Sequence, residues 1–352
     1  MKRNIDAELV VLARESRALT QSALAKKTGL SQSKISKLEA GLLPVLVKDL
    51  ATISRALEYP ERFFYQAEHP CAFGSSCSYH RKRQGAPVRE LKTVYAKVNI
   101  LRMQIARLLR GVDVEWENKF HRMDIDAFDG DAEGIAALVR NTWGLPRGPV
   151  NNLVVAIESA GAIVVPCAFG TRSLDAVSQW VPGQPPMFFV NADQPTDRLR
   201  FTLSHELGHL IMHTIPTSDL EREADRFASE FLMPEDDLRP DLGKPLTLQH
   251  LAGLKARWKA SMAALARRAR DLGTITERQY RNLMIRMSKL GWRKREPVSL
   301  APEDPTVLRS IIDVYIRDQK YSMAELAELA LCDEDWFRQQ YLGQHSPLRL
   351  VT

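Results

Sequence analysis

Two histidines four residues apart, with a glutamate directly after the first, are the residues of this sequence best suited to chemistry. They are His205, Glu206 and His209 in LSHELGHLIMHT, residues 203–214. On a helix the two imidazoles stand one turn apart on one face, within reach of a single cation. Glu206 lies about 100° round from His205, close enough to take a proton from a water beside that cation. Leu203, Leu207, Leu210 and Ile211 form the opposite, buried side. A catalytic zinc site needs a third protein ligand, so this short motif is not sufficient by itself.

His213 continues the histidine row, but on a straight helix it would stand about 12 Å along the axis from His205, too far to share an ion. It is expected at the surface or as a partner to a ligand. The metzincin pattern is absent, because position 215 is Ile. The downstream segment LEREADRFASEFLMP, residues 220–234, offers a carboxylate instead. Its helical wheel puts Leu220, Ala224, Phe227, Ala228, Phe231 and Leu232 on one side, with Glu221 inside that apolar arc and Glu223 roughly 100° from its centre. A carboxylate facing a core needs a partner or a cation. Asp225 borders the same arc, placed to hydrogen-bond the free ring nitrogen of a ligand histidine.

The elements that must carry these groups are legible. DRLRFTLSHELGHLIMH reads as a long helix beginning near Asp197. Before it, AEGIAALVRNTWGL and PVNNLVVAIESAG read as helices, and AIVVPC, AVSQWV and PMFFVN as strands between Pro/Gly turns. A small sheet packed on helices, an α+β arrangement, is the expected frame. RLRFTLSHELGHLIMH followed by EREADRFASEFLMP, with GPVNNLVVAIESAGAIVV upstream and LKARWKASMAALARRARDLG downstream, resembles the ImmA/IrrE family of zinc metallopeptidases over about residues 130–295. The resemblance implies a gluzincin-like site with Zn2+ on His205, His209 and Glu221 and with Glu206 as general base; Glu223 is the alternative third ligand. It also implies cleavage of a repressor of the helix-turn-helix class.

The amino-terminal residues point to DNA. Ile5, Leu9, Leu12 and Ala13 have helical spacing; Thr20 caps a second helix, Gly29 makes a turn, and Ser31 starts a third helix with Ile35 and Leu38 inward. A fourth follows, with Leu50, Ile53, Ala56 and Leu57 inward. Short helices around a Gly turn make a helix-turn-helix module. LTQSALAKKTGLSQSKISKLEAG resembles the Xre/Cro-type repressor domain over about residues 4–65. That resemblance implies a phosphate contact by Gln21 and a major-groove face of Gln32, Ser33, Lys34 and Lys37. Gln reads adenine and Lys reads guanine by hydrogen bonds to base edges, so the types suit the role.

The chain of 352 residues is long enough for two or three domains, and its 45% hydrophobic and 26% charged residues are those of a globular protein. No apolar run of membrane-spanning length or signal sequence is present, so a cytoplasmic protein without a membrane partner is expected. The net charge of +6 is uneven: residues 1–60 carry ten Lys/Arg against six Asp/Glu, and residues 251–295 carry thirteen against two. Two basic regions around an acidic middle suggest a polyanion, although the second also reads as a solvated helix surface.

The expected organisation is multidomain: an all-α helix-turn-helix domain at 1–68, a linker at 69–89, a connecting or dimerisation helix at 90–112, a mainly helical α+β zincin-like (gluzincin-type) peptidase domain at 120–295, and a helical carboxy-terminal module at 300–352. In the linker, His69, Cys71, Cys77 and His80 could be grouped as a four-ligand metal knuckle, but their spacing does not match the commoner structural zinc patterns, and free cysteines in a loop are expected. Leu91, Val94, Val98, Leu101, Ile105 and Leu108 form a heptad seam of nearly three repeats, which serves either a homodimer or packing on the next domain. The functional expectation is a DNA-binding regulator with a zinc-dependent endopeptidase domain. Its partners are a double-stranded operator and a protein substrate, either a helix-turn-helix repressor or the chain itself, cut in its linker. The alternative is a transcription factor whose peptidase-like domain is a non-catalytic sensor or partner-binding module.

Overall fold

A computed structural model describes residues 5–66, 68, 70, 87–112, 119–171, 173–192, 194–214, 218–243 and 245–343. The linker grouping of His69, Cys71, Cys77 and His80 lies outside the described residues. The chain forms two compact units, one of Met1–Glu115, Phe169–Leu174 and Val307–Thr352, the other of Trp116–Ala168 and Asp175–Thr306.

The first unit begins with α1 (Ala7–Ser16), α2 (Gln21–Thr28), α3 (Gln32–Glu39) and α4 (Val47–Leu57). Thr20 and Ser31 cap α2 and α3 by accepting from the amides of Ala23 and Lys34. Between them Gly29 has φ +70°, a left-handed conformation that glycine takes without a Cβ penalty. Leu9, Leu24, Ile35, Leu38, Leu50 and Ile53 are fully buried at the centre. A charged clamp adds to this packing: Arg14 on α1 grips Glu39 at the end of α3, and Gln21 donates to the same carboxylate at 2.9 Å.

The helix α5 (Val88–Leu109) is buried nearly all round, its polar Asn99, Arg102 and Gln104 included. All six residues of the heptad seam are buried within the single chain, so the seam is not a surface open to a second copy.

In the second unit, α6 (Ala132–Thr142) and α7 (Leu153–Ser159) precede β1 (Ile163–Cys167), β2 (Ala176–Gln179) and β3 (Met187–Asn191). The strand order is β1-β3-β2, with β1 parallel and β2 antiparallel to β3, so β2 is an edge. Next come α8 (Thr196–Met212) and α9 (Leu220–Leu232), followed by α10 (Glu235–Leu238), α11 (Leu248–Trp258), α12 (Met262–Asp271) and α13 (Glu277–Lys289). Leu203, Leu207 and Ile211 turn one face of α8 into the core.

Two buried charge groups hold the first half of α8. Arg200 pairs with Glu303 and donates to the carbonyl of Val150 at 2.7 Å, while Glu303 accepts from the amide of Leu153 at 2.7 Å. Lys255 on α11 joins Asp197 at 2.6 Å and Glu296 at 2.8 Å. These ties carry the unit past residue 295. Part of the basic excess of residues 251–295 is therefore internal: Lys255 is spent on these carboxylates and Arg268, also buried, is bound to Glu230. Arg278, Arg286, Lys289 and residues 293–295 remain exposed.

The chain ends in the first unit with α14 (Val307–Arg317), α15 (Met323–Leu329) and α16 (Glu334–Tyr341). Tyr315 donates to the carbonyl of Leu108 at 2.7 Å and Tyr341 to Gln104 at 2.8 Å, so these helices dock on α5. Among the described residues no helix is long and apolar enough to cross a membrane.

Candidate metal centre

The geometry of the site follows from how closely α8 and α9 approach. Gly208 lies against Phe227 of α9: a Cβ at that position would stand 3.1 Å from Phe227 Cδ1 and 3.2 Å from Cγ. The missing side chain lets the first turn of α9 reach the histidines. His205 and His209 point their Nε2 atoms toward each other at 3.0 Å. Glu221 completes the triangle, with Oε2 at 3.6 Å from His205 Nε2 and Oε1 at 3.3 Å from His209 Nε2. These three side chains form the one group among the described residues whose donor atoms suit a metal ion. Ligand distances of about 2.0–2.1 Å give a tetrahedron with edges of about 3.3–3.4 Å, which the three separations bracket. Two imidazoles and a carboxylate are also a donor set that zinc takes.

The other ring nitrogens are engaged as well. His205 Nδ1 lies 3.0 Å from Asp225 Oδ1. His209 Nδ1 lies 3.0 Å from His213 Nδ1, and His213 Nε2 lies 3.0 Å from Glu223 Oε2. Glu206 is 2% exposed, and its Oε2 accepts a 2.6 Å hydrogen bond from the Ser178 hydroxyl on β2. Burial pulls the His205 pKa down, but hydrogen bonds to Asp225 and Glu221 outweigh it and raise it to about 9. For His209 burial wins and the pKa falls. Burial, reinforced by the two neighbouring imidazoles, takes His213 down to about 3, and burial raises the Glu223 carboxyl above its usual range.

Glu221 and Asp225 thus stand where the helical wheel points them. His213 differs from the surface position that was one of its two expectations: its side chain is 1% exposed. The reason is local. The α8 helix stops at Met212, and His213, with φ −112° and ψ 97°, turns its ring beneath His209. Glu223, the alternative third ligand, is drawn to His213 instead. Ser178 was not foreseen, because the alternation of AVSQWV marks a strand without saying which helix its residues face.

On the first unit, Gln32, Ser33 and Lys37 are exposed on α3. Lys34 is held by the buried Asp49 at 2.8 Å, and Gln21 lies between Glu39 and Gln32. The Glu39 clamp was also missed, although Leu38-Glu39-Ala40-Gly41 was visible as a helix ending.

Comparison with known families finds two matches. Residues 12–64 match the helix-turn-helix family, and residues 157–270 match a peptidase family described as the IrrE N-terminal-like domain. No curated protein matches the chain. The second match contains both histidines, Glu206, Glu221 and the whole sheet. The protein therefore joins an Xre-type helix-turn-helix domain to an IrrE-like, peptidase-type domain in a single chain.

Proposed function

We propose that the chain is a DNA-binding regulator whose second unit is a zinc-dependent endopeptidase acting on a repressor-type protein. The observation that carries the reading is the convergence of His205, His209 and Glu221 on one point with Glu206 beside them. His205, His209 and Glu221 would hold the zinc, which when bound polarises a peptide carbonyl and makes water a stronger nucleophile. Glu206 takes the proton of the attacking water and returns it to the leaving amine. Ser178 holds one oxygen of that carboxylate, fixing the direction in which the other faces. The edge strand β2, next to α8, offers backbone groups along which an extended peptide can pair.

In the first unit, α3 would enter the major groove of a double-stranded operator. Gln32, Ser33 and Lys37 are exposed for base and phosphate contacts, with Gln21 beside a phosphate. Lys34 joins them only by leaving Asp49.

Zinc content by elemental mass spectrometry is the first test. About one zinc per chain is expected in the wild type and almost none in Glu221→Ala. Glu206→Gln should keep the zinc and lose all cleavage of a co-expressed helix-turn-helix repressor. Cleavage by metal-loaded Glu206→Gln would remove Glu206 from its role. A wild type that holds no zinc when supplied with it would leave the unit as a non-catalytic sensor.

A further inference from the structure

His213 and Glu223 have no part in the proposed chemistry, yet both are held inside the site. The two facing Nδ1 atoms of His209 and His213, 3.0 Å apart, permit one proton between them. Two bare lone pairs would repel and two N–H groups would collide. Which ring carries the proton is decided at the far end of His213. There Glu223 Oε2 stands 3.0 Å from Nε2, and a carboxylate can only accept. His213 therefore places its proton on Nε2, its Nδ1 is left bare, and His209 must donate from Nδ1. The Nε2 atom of His209, which faces His205 and Glu221, is then a bare lone pair.

We propose that Glu223 and His213 act as one relay that sets the tautomer and the ring orientation of His209, presenting its Nε2 lone pair to the metal position. The relay is the counterpart of Asp225, which performs the same task for His205 in a single step. For His209 the chain runs in two steps, through His213 to Glu223. The break in α8 at Met212 supplies the missing link by turning His213 under the ring, where its amide still bonds the carbonyl of His209 at 3.1 Å. The proposal rests on the zinc reading above, and Glu223 and His213 are positioning residues: neither touches the position where the ion or a substrate would sit.

The test compares wild type, Glu223→Gln, His213→Phe and the double variant, all as full-length chains, by zinc competition against a chelator. Each single variant is expected to weaken zinc binding about 10–100-fold. The double variant should be no weaker than the worse single one, because both changes break the same chain. Additive losses, or losses under about threefold, would overturn the relay and leave a plain tie between two helices.

Long-range 1H–15N spectra of histidine-labelled, metal-free wild type give a readout independent of zinc and of the variants' folding. A proton on His209 Nδ1 and on His213 Nε2 is expected, and the reverse tautomers would overturn the proposal. If the wild type takes up no zinc but shows these tautomers, the zinc reading fails and the hydrogen-bond relay stands.

Discussion

Replacing Gly208 by Ala tests the closest approach in the site. The added Cβ would stand 3.1–3.3 Å from three atoms of Phe227, whereas carbon atoms rest at about 3.5–4.0 Å. The contact must open by a few tenths of an ångström. Phe227 cannot swing aside, since it is fully buried and stacked on Phe231 with centroids 5.7 Å apart. The α9 helix must therefore move, taking Glu221 with it. Metal sites tolerate about 0.2 Å in ligand position, so zinc affinity should fall even though Gly208 is no ligand. Overpacking costs about 1–3 kcal/mol and the better helix propensity of Ala returns up to about 1 kcal/mol, for a net loss of about 0–3 kcal/mol. Urea unfolding of the metal-free chain and chelator competition measure the two effects. Adding Phe227→Leu to Gly208→Ala should recover part of both. A Gly208→Ala chain that is more stable by about 1 kcal/mol and binds zinc as before would refute the close approach of the helices.

Three further outcomes are expected. Glu303→Gln leaves Arg200, which is 0% exposed, without its counter-charge and weakens the bonds to Leu153 and Val154; urea unfolding should show a loss of about 3–5 kcal/mol. Lys37→Ala should weaken operator binding and flatten its salt dependence by about one unit of slope without altering the unfolding curve. Lys34→Ala should also lower stability, because it strips the cation from buried Asp49. Burial, with Asp333 adding to it, pushes the Cys332 thiol up to about 12. Unfolded thiols ionise near about 8.5. The folded chain keeps that proton longer, so its contribution to stability is present below about pH 8.5 and is lost as pH rises toward 12. Peptide mapping after alkylation at pH 8 should find Cys332, which is half-buried, modified more slowly in the folded chain than in urea; equal rates would contradict the raised thiol pKa.

Sequence determined what depends on neighbours along the chain. Thr20, Gly29 and Ser31 mark helix ends because capping and left-handed turns are local chemistry. The i and i+4 spacing puts His205 and His209 on one face whatever surrounds them, and the apolar arc of residues 220–232 directs Glu221 and Asp225 inward. The heptad seam of α5 was equally plain, but its occupant was not: periodicity states that a face is apolar, never what covers it. Tertiary structure decided the rest, namely contacts between residues far apart in sequence. Ser178 meets Glu206 across twenty-eight residues, Glu303 reaches Arg200 across more than one hundred, and α14–α16 return to α5. Even His213, four residues from His209, needed the fold, since only the end of α8 at Met212 allows its ring to turn under its neighbour. Spacing specifies a direction on a regular helix, and where the helix stops the packing specifies it instead.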